Sequence, residues 1–251
     1  MTESGRAGDA VSRVGRAYPD RVEVRGRDLS GDLMGRVSFT EYFHLLLTGR
    51  EPTEDERFFL DVLLVAIAEH GMMPSNVAAR ITFAADPESL QGAVAAGILG
   101  AGPVILGSSE PCARLLADAV SSRLEAVDVA REIHAAGGKV PGFGHPVHRP
   151  VDPRAERILE LADARGVSGP HVRLARELRG AVAETWGKPL PLNVAMATAA
   201  VMLDVGFPAA AVKAVPILAR TAGLLAHLAE ERERPLGFLL ARAAEDAVAY
   251  E

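Results

Sequence analysis

The sequence has a single cysteine, Cys112, in 251 residues. One thiol can neither close an internal disulfide nor supply a multi-cysteine metal site, so stability must come from a packed core. Aromatic residues make up only 5% of the chain while hydrophobic residues overall make up 49%, carried mainly by alanine, leucine and valine. That balance disfavours β-sandwiches and favours helices. No apolar run reaches the roughly 18 residues of a membrane span, and the opening MTESGRAGDAVSRVGRAYPD lacks the apolar core of a secretory signal. A cytoplasmic protein without a membrane partner is expected. Positive charge is not in excess either: the formal net charge is -6, which argues against a nucleic-acid partner, because phosphate-backbone binders gather lysine and arginine on one face to displace counterions. A local basic pocket for a small anion is compatible with it. No histidine–carboxylate spacing resembles a metal site, so no metal is expected. Strands of alternating polarity and internal repeats are missing too, and the expected fold class is all-α.

What is present reads as a series of helices. At 251 residues the chain can bury a sizeable core, as one large domain or as a large and a small one. Residues 1–20 are small, polar and glycine-containing and read as a flexible arm. SFTEYFHLLLTG opens with Ser38 and carries Glu41 three residues on, a capping box that satisfies two amide donors, with Gly49 as the stop. TEDERFFLDVLLVAIAEHG repeats the device with Thr53 and Glu56, and its broad apolar surface belongs inside a bundle. DPESLQGAVAAGILGAG predicts a helix capped by Asp86, whose glycines and alanines let a neighbouring backbone come close. ARLLADAVSSRLEAVDVAREIHAAGG predicts two helices, DPRAERILELADARG a third and GPHVRLARELRGAVAETWG a fourth, with proline and glycine clusters between them. An alanine-rich helix comes after KPLPLN. In the last apolar run, PAAAVKAVPILARTAGLLAHLAEERER, Pro216 removes an amide donor and should break or kink the helix.

The chemistry concentrates in KVPGFGHPVHRPVDPRAERIL. Pro141, Gly142 and Gly144 make a tight turn whose amides and carbonyls can approach a ligand closely, and Pro146 and Pro150 stiffen the segment leading on to the next helix. Asp152 and Pro153 start that helix and place Arg154 in its first turn, beside the positive end of the helix dipole. A cation there is mildly unfavourable for the helix, so a bound anion explains Arg154 better than stability does. A solvated surface arginine is the alternative, and the adjoining His145, His148 and Arg149 weigh against it.

This stretch resembles the citrate synthase family, whose members carry G-[FY]-G-H-x-V-x-[RK]-x-x-D-P-R at the active site; every fixed position is met from Gly142 to Arg154. Other stretches fit in the same order. VRGRDLSGDLMGRVSFTEYFHLLLTGREPTEDE resembles the family's amino-terminal segment, EHG at Glu69–Gly71 its "DH" element, LPLNVAMATAAVMLDVGF its "PNVD" region, and ILARTAGLLAHLAEERERP its carboxyl-terminal arginine helix. The short length is closest to the citryl-CoA lyase module. The resemblance implies an all-α homodimer with a large domain from residues 21–107 and 206–251, a small domain from residues 108–205, and the site in the cleft between them. It also implies that Val140, Pro141, Gly142, Phe143 and Gly144 hold the CoA adenine through backbone groups. His145 would donate to the keto or hydroxyl oxygen of a four-carbon acid, Arg154 and Arg220 would grip its carboxylates, and Arg234 would join them from a neighbouring subunit. No permanently bound cofactor is implied; a coenzyme A thioester is substrate or product, alongside a di- or tricarboxylic acid. These roles are chemically sound, since guanidinium groups clamp carboxylates with paired hydrogen bonds and an imidazole donor stabilises negative charge on oxygen.

Two positions depart from the family pattern. Synthases hold the thioester enolate oxygen with a histidine in "GP-L-H-G", where this chain has Ile105 in GAGPVILGSS; the lyase modules also lack that histidine. The "NVD" aspartate that moves a proton at the acetyl methyl is Ala195 in LNVAMAT. A general base is typically worth about 10² to 10⁴ in rate and one oxyanion donor about 10² to 10³. Candidates to take over are His148, Asp152, Glu69 and His70, though Asp152 also reads as a helix cap and Glu69 and His70 as the end of a buried helix. Ile105, Asn193, Ala195 and His70 are expected to line the pocket. The expected function is citryl-CoA lyase-like or citrate synthase-like carbon–carbon chemistry between an acyl-CoA and a 2-oxo acid such as oxaloacetate. The alternatives are a relative that binds CoA thioester or acid without turnover, and changed chemistry on the same fold, with an apolar pocket beside Ile105 and Ala195 accepting a group bulkier than acetyl.

Overall fold

The computed structural model describes residues 11–250, apart from Gly107 and the side chain of Val104; residues 1–10 of the expected arm lie outside the described residues. The chain separates into two compact units, Met1–Phe58 and Phe59–Glu251.

In the first unit, Gly15–Ala17 (β1), Val22–Val24 (β2) and Arg27–Asp28 (β3) form an antiparallel sheet in that order. The expectation of no strand is therefore corrected: segments of two or three residues are too short to leave an alternating pattern. A π-helical turn at Leu29–Leu33 comes next, and Phe39–Thr48 forms α1. The Ser38 capping box is present, with Ser38 Oγ accepting from the Glu41 amide at 3.2 Å and the Glu41 carboxylate accepting from the Ser38 amide at 2.6 Å. Gly49 closes the helix at φ 79°. Val24, Leu33 and Leu45 form this unit's small core. Glu54–Ala68 is α2, whose residues from Phe59 onward belong to the second unit; it is opened by the second box, in which the Glu56 amide donates to Thr53 Oγ1 at 3.2 Å and the Thr53 amide to Glu56 Oε2 at 2.8 Å. Burial alone would raise the fully buried Glu56; the Arg50 guanidinium, the Thr53 amide and His44 overcome that and bring it down to about 2.

The second unit is helical: α3 (Pro74–Ala85), α4 (Leu90–Ile105), α5 (Ser109–Ser121), α6 (Ala126–Ala135), α7 (Pro153–Ala164), α8 (Pro170–Trp186), α9 (Val194–Asp204), α10 (Ala214–Glu233) and α11 (Gly237–Ala247). Helix α3 packs on α4, α10 and α11, while α9 packs on α5, α7 and α8, and α6 on α8. Ala79, Phe83, Ala93, Leu224 and Leu228 fill the core between α3, α4 and α10. The small residues of α4 act as expected: a Cβ on Gly97 would fall 2.7 Å from the Leu224 methyls.

Several expectations change here. Helix α3 is not anticipated, because its buried face includes Ser75, Asn76 and Arg80 and so carries no continuous apolar stripe. The same holds for α11, where only Gly237 is buried. Asp86 does not cap α4: its amide donates to Thr82 O at 3.0 Å as the end of α3, and α4 begins at Leu90 after Ser89. Pro216 does not kink its helix. It is the third residue of α10, where an amide would have no intrahelical acceptor anyway. The interruption lies instead in α4, at Gly102 (φ 52°) just before Pro103. Finally, Ala209–Glu233 is long and apolar enough to cross a membrane by length and composition, although Lys213 and Arg220 interrupt its apolar run; in the fold Leu224 and Leu228 of this helix join the core with α3 and α4.

Candidate functional site

The turn at residues 140–146 is fixed from below. Phe143 pairs with Leu192 as an isolated antiparallel bridge, with the Asn193 amide donating to Gly142 O at 2.9 Å and the Gly144 amide to Pro191 O at 2.8 Å. In such a pair the amide and carbonyl of Phe143 itself point away from the partner strand. Asn193 also caps α9 and donates through Nδ2 to Gly144 O at 3.0 Å. Gly142 has φ 78° and lies against α5 and α9: a Cβ there would be 2.6 Å from Met196 Cβ and 2.8 Å from Cys112 Sγ. No other residue type fits.

Asp152 sets the next layer. It is fully buried, caps α7 by accepting from the Arg154 amide at 3.1 Å, accepts from the Val194 amide at 3.1 Å, and holds Arg154 through Nε at 3.0 Å and Nη2 at 2.9 Å. Burial pushes this carboxyl up, but the Arg154 guanidinium and the two amides win and hold it below the usual range. The cap reading of Asp152 is thus the structural one, with the added role of aiming Arg154.

His145 and Arg154 meet. Arg154 Nη2 lies 3.3 Å from His145 Nε2. His145 Nδ1 accepts from the amides of Val147 (3.1 Å) and His148 (2.9 Å), so the neutral ring carries its proton on Nε2. Nε2–H and the guanidinium N–H are then both donors, and neither satisfies the other. Two donors converging on one point call for an acceptor oxygen between them. Burial, then the neighbouring His148 and Arg154, keep His145 below the ordinary histidine value and hence neutral, against an opposing pull from Asp152.

These groups open into a cleft of about 690 Å³. Val140, Pro141, Gly142, Phe143 and Gly144 line it, together with Ile105, Asn193 and Ala195. Arg154, Arg220 and His70 share it with His145. Arg220, on α10, is 4% exposed, and its Nε and Nη1 have no partner. Burial, then Arg154, lower its affinity for its proton, partly opposed by Glu69.

His148 stands just outside the lining. Its ring stacks on His145 at 4.3 Å, and its Nε2 lies 3.0 Å from Nε2 of His70, so one of the two donates to the other. Burial first, then Arg154, His148 and Arg220, depress His70. Ligand nitrogens of His70, His145 and His148 come within 4.8 Å of one another. The donor set nevertheless suits an anion rather than a cation: His145 presents a proton rather than a lone pair, and two guanidinium groups share the space.

Not every candidate converges. Glu69 is turned to His227 Nε2 at 2.9 Å and to the Gly71 amide, and Arg234 is exposed at the end of α10. Among the described residues lining the cleft there is no acidic side chain. Among the lining residues that the sequence reading did not name, Ser109 and Thr198 are buried and have unpartnered hydroxyls. The first is visible only as part of GSS after a glycine–proline break, the second only as a threonine one helical turn beyond Ala195.

The family model for the citrate synthase C-terminal domain matches residues 12–242. A citrate synthase of Synechocystis sp. is 31% identical over 202 residues, 78% of this chain and 50% of its own; the chain spans about half the length of the curated relatives it matches. Among solved structures, the citryl-CoA lyase from Hydrogenobacter thermophilus superposes with a TM-score of 0.82 and 33% identity, covering 88% of this chain and 86% of the lyase. An ATP citrate lyase from Methanothrix soehngenii, in complex with citrate and coenzyme A, shares the fold with a TM-score of 0.82 at 21% identity, over 96% of this chain and 41% of that one. The chain belongs to the citrate synthase family.

Proposed function

We propose that the protein cleaves the carbon–carbon bond of a citryl-CoA-type thioester, giving an acyl-CoA and a 2-oxo acid such as oxaloacetate, and forms it in the reverse direction. The observation that carries this reading is the pair of donors, His145 Nε2–H and Arg154 Nη2, aimed at one point 3.3 Å apart beside the unpartnered Arg220. An oxygen that turns from hydroxyl to ketone sits between the two donors, and Arg154 with Arg220 holds the acid's carboxylates. The thioester's CoA lies along Val140–Gly144, where Phe143 offers the backbone groups turned away from Leu192. His70 takes the hydroxyl proton, with His148 at 3.0 Å to share it. A neutral imidazole is able to accept it, whereas Ala195 cannot. The match in length and fold to a citryl-CoA lyase favours cleavage. The protein acts as a cytoplasmic homodimer, in which Arg234 reaches the neighbouring subunit's cleft.

Purified protein incubated with citryl-CoA is expected to release oxaloacetate, followed by coupled reduction to malate, and acetyl-CoA, followed by chromatography. Replacing His145 by Ala should abolish both. A methyl-substituted citryl-CoA tests whether the apolar wall of Ile105 and Ala195 admits a bulkier acyl group. No product from either thioester, with no binding of citrate or CoA, overturns the proposal. Tight binding of citryl-CoA without turnover would support the second reading, a binding protein, which the lack of an acidic side chain among the described lining residues favours.

A further inference from the structure

The turn that carries His70 into the cleft lies between the end of α2 at Ala68 and the start of α3 at Pro74, and it is held from outside. Helix α10 seats its near end: a Cβ on Gly223 would fall 2.0 Å from Ala68 O and 3.3 Å from Glu69 Oε2, so the chain can pass there only against a glycine. Glu69 then ties the turn down. Its carboxylate accepts from His227 Nε2 at 2.9 Å and from the amides of Gly71 and His70, while Asn76 of α3 donates through Nδ2 to Gly71 O at 2.6 Å. Burial alone would raise the Glu69 carboxyl; His227 and the two amides overcome that and hold it below the usual range. His227 is in turn fixed from the buried side. Its Nδ1 faces Arg80 Nε at 3.1 Å and Nη2 at 2.8 Å, and the fully buried Arg80 is anchored by Glu230 and, at 2.6 Å, by Glu231. Two guanidinium donors at Nδ1 and a carboxylate at Nε2 put the neutral ring's proton on Nε2; the single amide donor Asn76 Nδ2, 2.7 Å from Nε2, does not reverse that. Arg220, Gly223 and His227, three and seven positions apart, share one face of α10. That face brings a guanidinium to the cleft, seats the His70 turn and latches it.

We propose that Glu69 and His227 are positioning residues, a hydrogen-bonded latch that holds the imidazole of His70 in the cleft beside Arg220. The inference rests on the reading of His70 as acceptor of the hydroxyl proton; neither latch residue is among those lining the cleft. The latch needs a carboxylate, because three donors converge on Glu69. A carboxamide offers one acceptor oxygen, and its NH2 group would face a donor. At position 227 a glutamine keeps both tasks of the neutral ring, an N–H for Glu69 and an acceptor for Arg80, whereas a leucine keeps the bulk and neither task. Glu69→Gln and His227→Leu therefore open the latch, and His227→Gln leaves it closed. Glu69 is half-exposed, so its replacement does not hollow the core. With the latch open, His70 moves away from the charged groups that face it, His148, Asp152 and Arg154 from the segment leading into α7 and Arg220 from α10. His145 stays, because its Nδ1 is held by the amides of Val147 and His148.

Nuclear magnetic resonance of the full chain carrying nitrogen-15 histidine reads the latch without turnover, with the His70 signals identified by their loss in His70→Gln. The titration midpoint of His70 should rise towards the ordinary histidine value of about 6.5 in Glu69→Gln and in His227→Leu, with His145 unmoved. Both rings should titrate as in the wild type in His227→Gln. In citryl-CoA cleavage, kcat should fall by about 10², the cost of an ångström-scale misplacement, in Glu69→Gln and in His227→Leu, with KM unchanged. Combining these two substitutions should slow the reaction no further than either alone, since one latch opens only once. His227→Gln should recover the wild-type rate. If His70 shifts as stated but the wild type does not cleave citryl-CoA, or the variants keep its kcat, the latch stands and the reading of His70 as the base falls. If all variants cleave at the wild-type rate with His70 unmoved, the latch falls and the lyase reading stands. A joint shift of His70 and His145, additive losses in the double variant, or no recovery in His227→Gln overturns the latch.

Discussion

Arg220 shows how the site can be recognised from one residue. A guanidinium with two unpartnered nitrogens at 4% exposure is costly to fold around, on the order of several kcal/mol for an unpaired buried ion, and a bound carboxylate removes that cost. Gly142 shows the opposite constraint, a residue fixed by space. Gly142→Ala should destabilise the protein by roughly 2–3 kcal/mol, through the left-handed φ and the collision with Met196 and Cys112, read from the denaturation midpoint. The Cys112 thiol, pushed up to about 12 by burial, should resist thiol reagents in the native wild type and react in the Gly142→Ala variant; equal reactivity in both would contradict this packing. The histidines give a pH signature. His70 and His145 are both depressed, chiefly by burial. The folded chain therefore binds fewer protons than the unfolded one below about pH 6.5. Their contribution to stability is complete above that value and is lost as pH falls through the lower folded values. Turnover should fall over the same window, as protonation costs His145 Nδ1 its two amide donors. His145 and Arg154 were legible because one contiguous run carries both. The contact of His70 with His148, 78 positions away, and the two free hydroxyls were not, because they arise only from tertiary packing.

Among the elements, capping chemistry was the most readable signal. Ser38 with Glu41, Thr53 with Glu56, and Asp152 all open helices where their local pattern implies. Helices without such a signal, or with polar buried faces, were not: α3 hides behind Arg80, which is fully buried and bonded to Glu231 at 2.6 Å and to His227. Asp86 and Pro216 were misread for one reason: a residue's role depends on which turn it occupies, and that turn was set by a neighbouring helix end. Glu56 offers the sharpest element-scale prediction. It is lowered from 4.5 to about 2, so its contribution is present above about pH 4.5 and lost as pH falls towards 2. In chemical denaturation, Glu56→Gln should cost on the order of 2–3 kcal/mol at neutral pH and much less in acid. A cost independent of pH would contradict the pairing of half-exposed Arg50 with the buried Glu56.

For the whole molecule, the sequence reading of an all-α family fold holds, with a three-stranded sheet added near the amino terminus. Helices α2, α4 and α11 each leave a large apolar side chain uncovered, with Val65 at 81%, Leu99 at 80% and Phe238 at 73% exposure. We expect these to be covered by a second copy, giving twice 26.5 kDa by light scattering; a monomer at micromolar concentration would contradict it. The central claim, that His145, Arg154 and Arg220 form one carboxylate site, is tested most directly by calorimetric titration of citrate. The wild type should bind, and Arg154→Met and Arg220→Met should each weaken binding by at least about tenfold, or 1.4 kcal/mol. Citrate affinity unchanged in both variants would contradict the account.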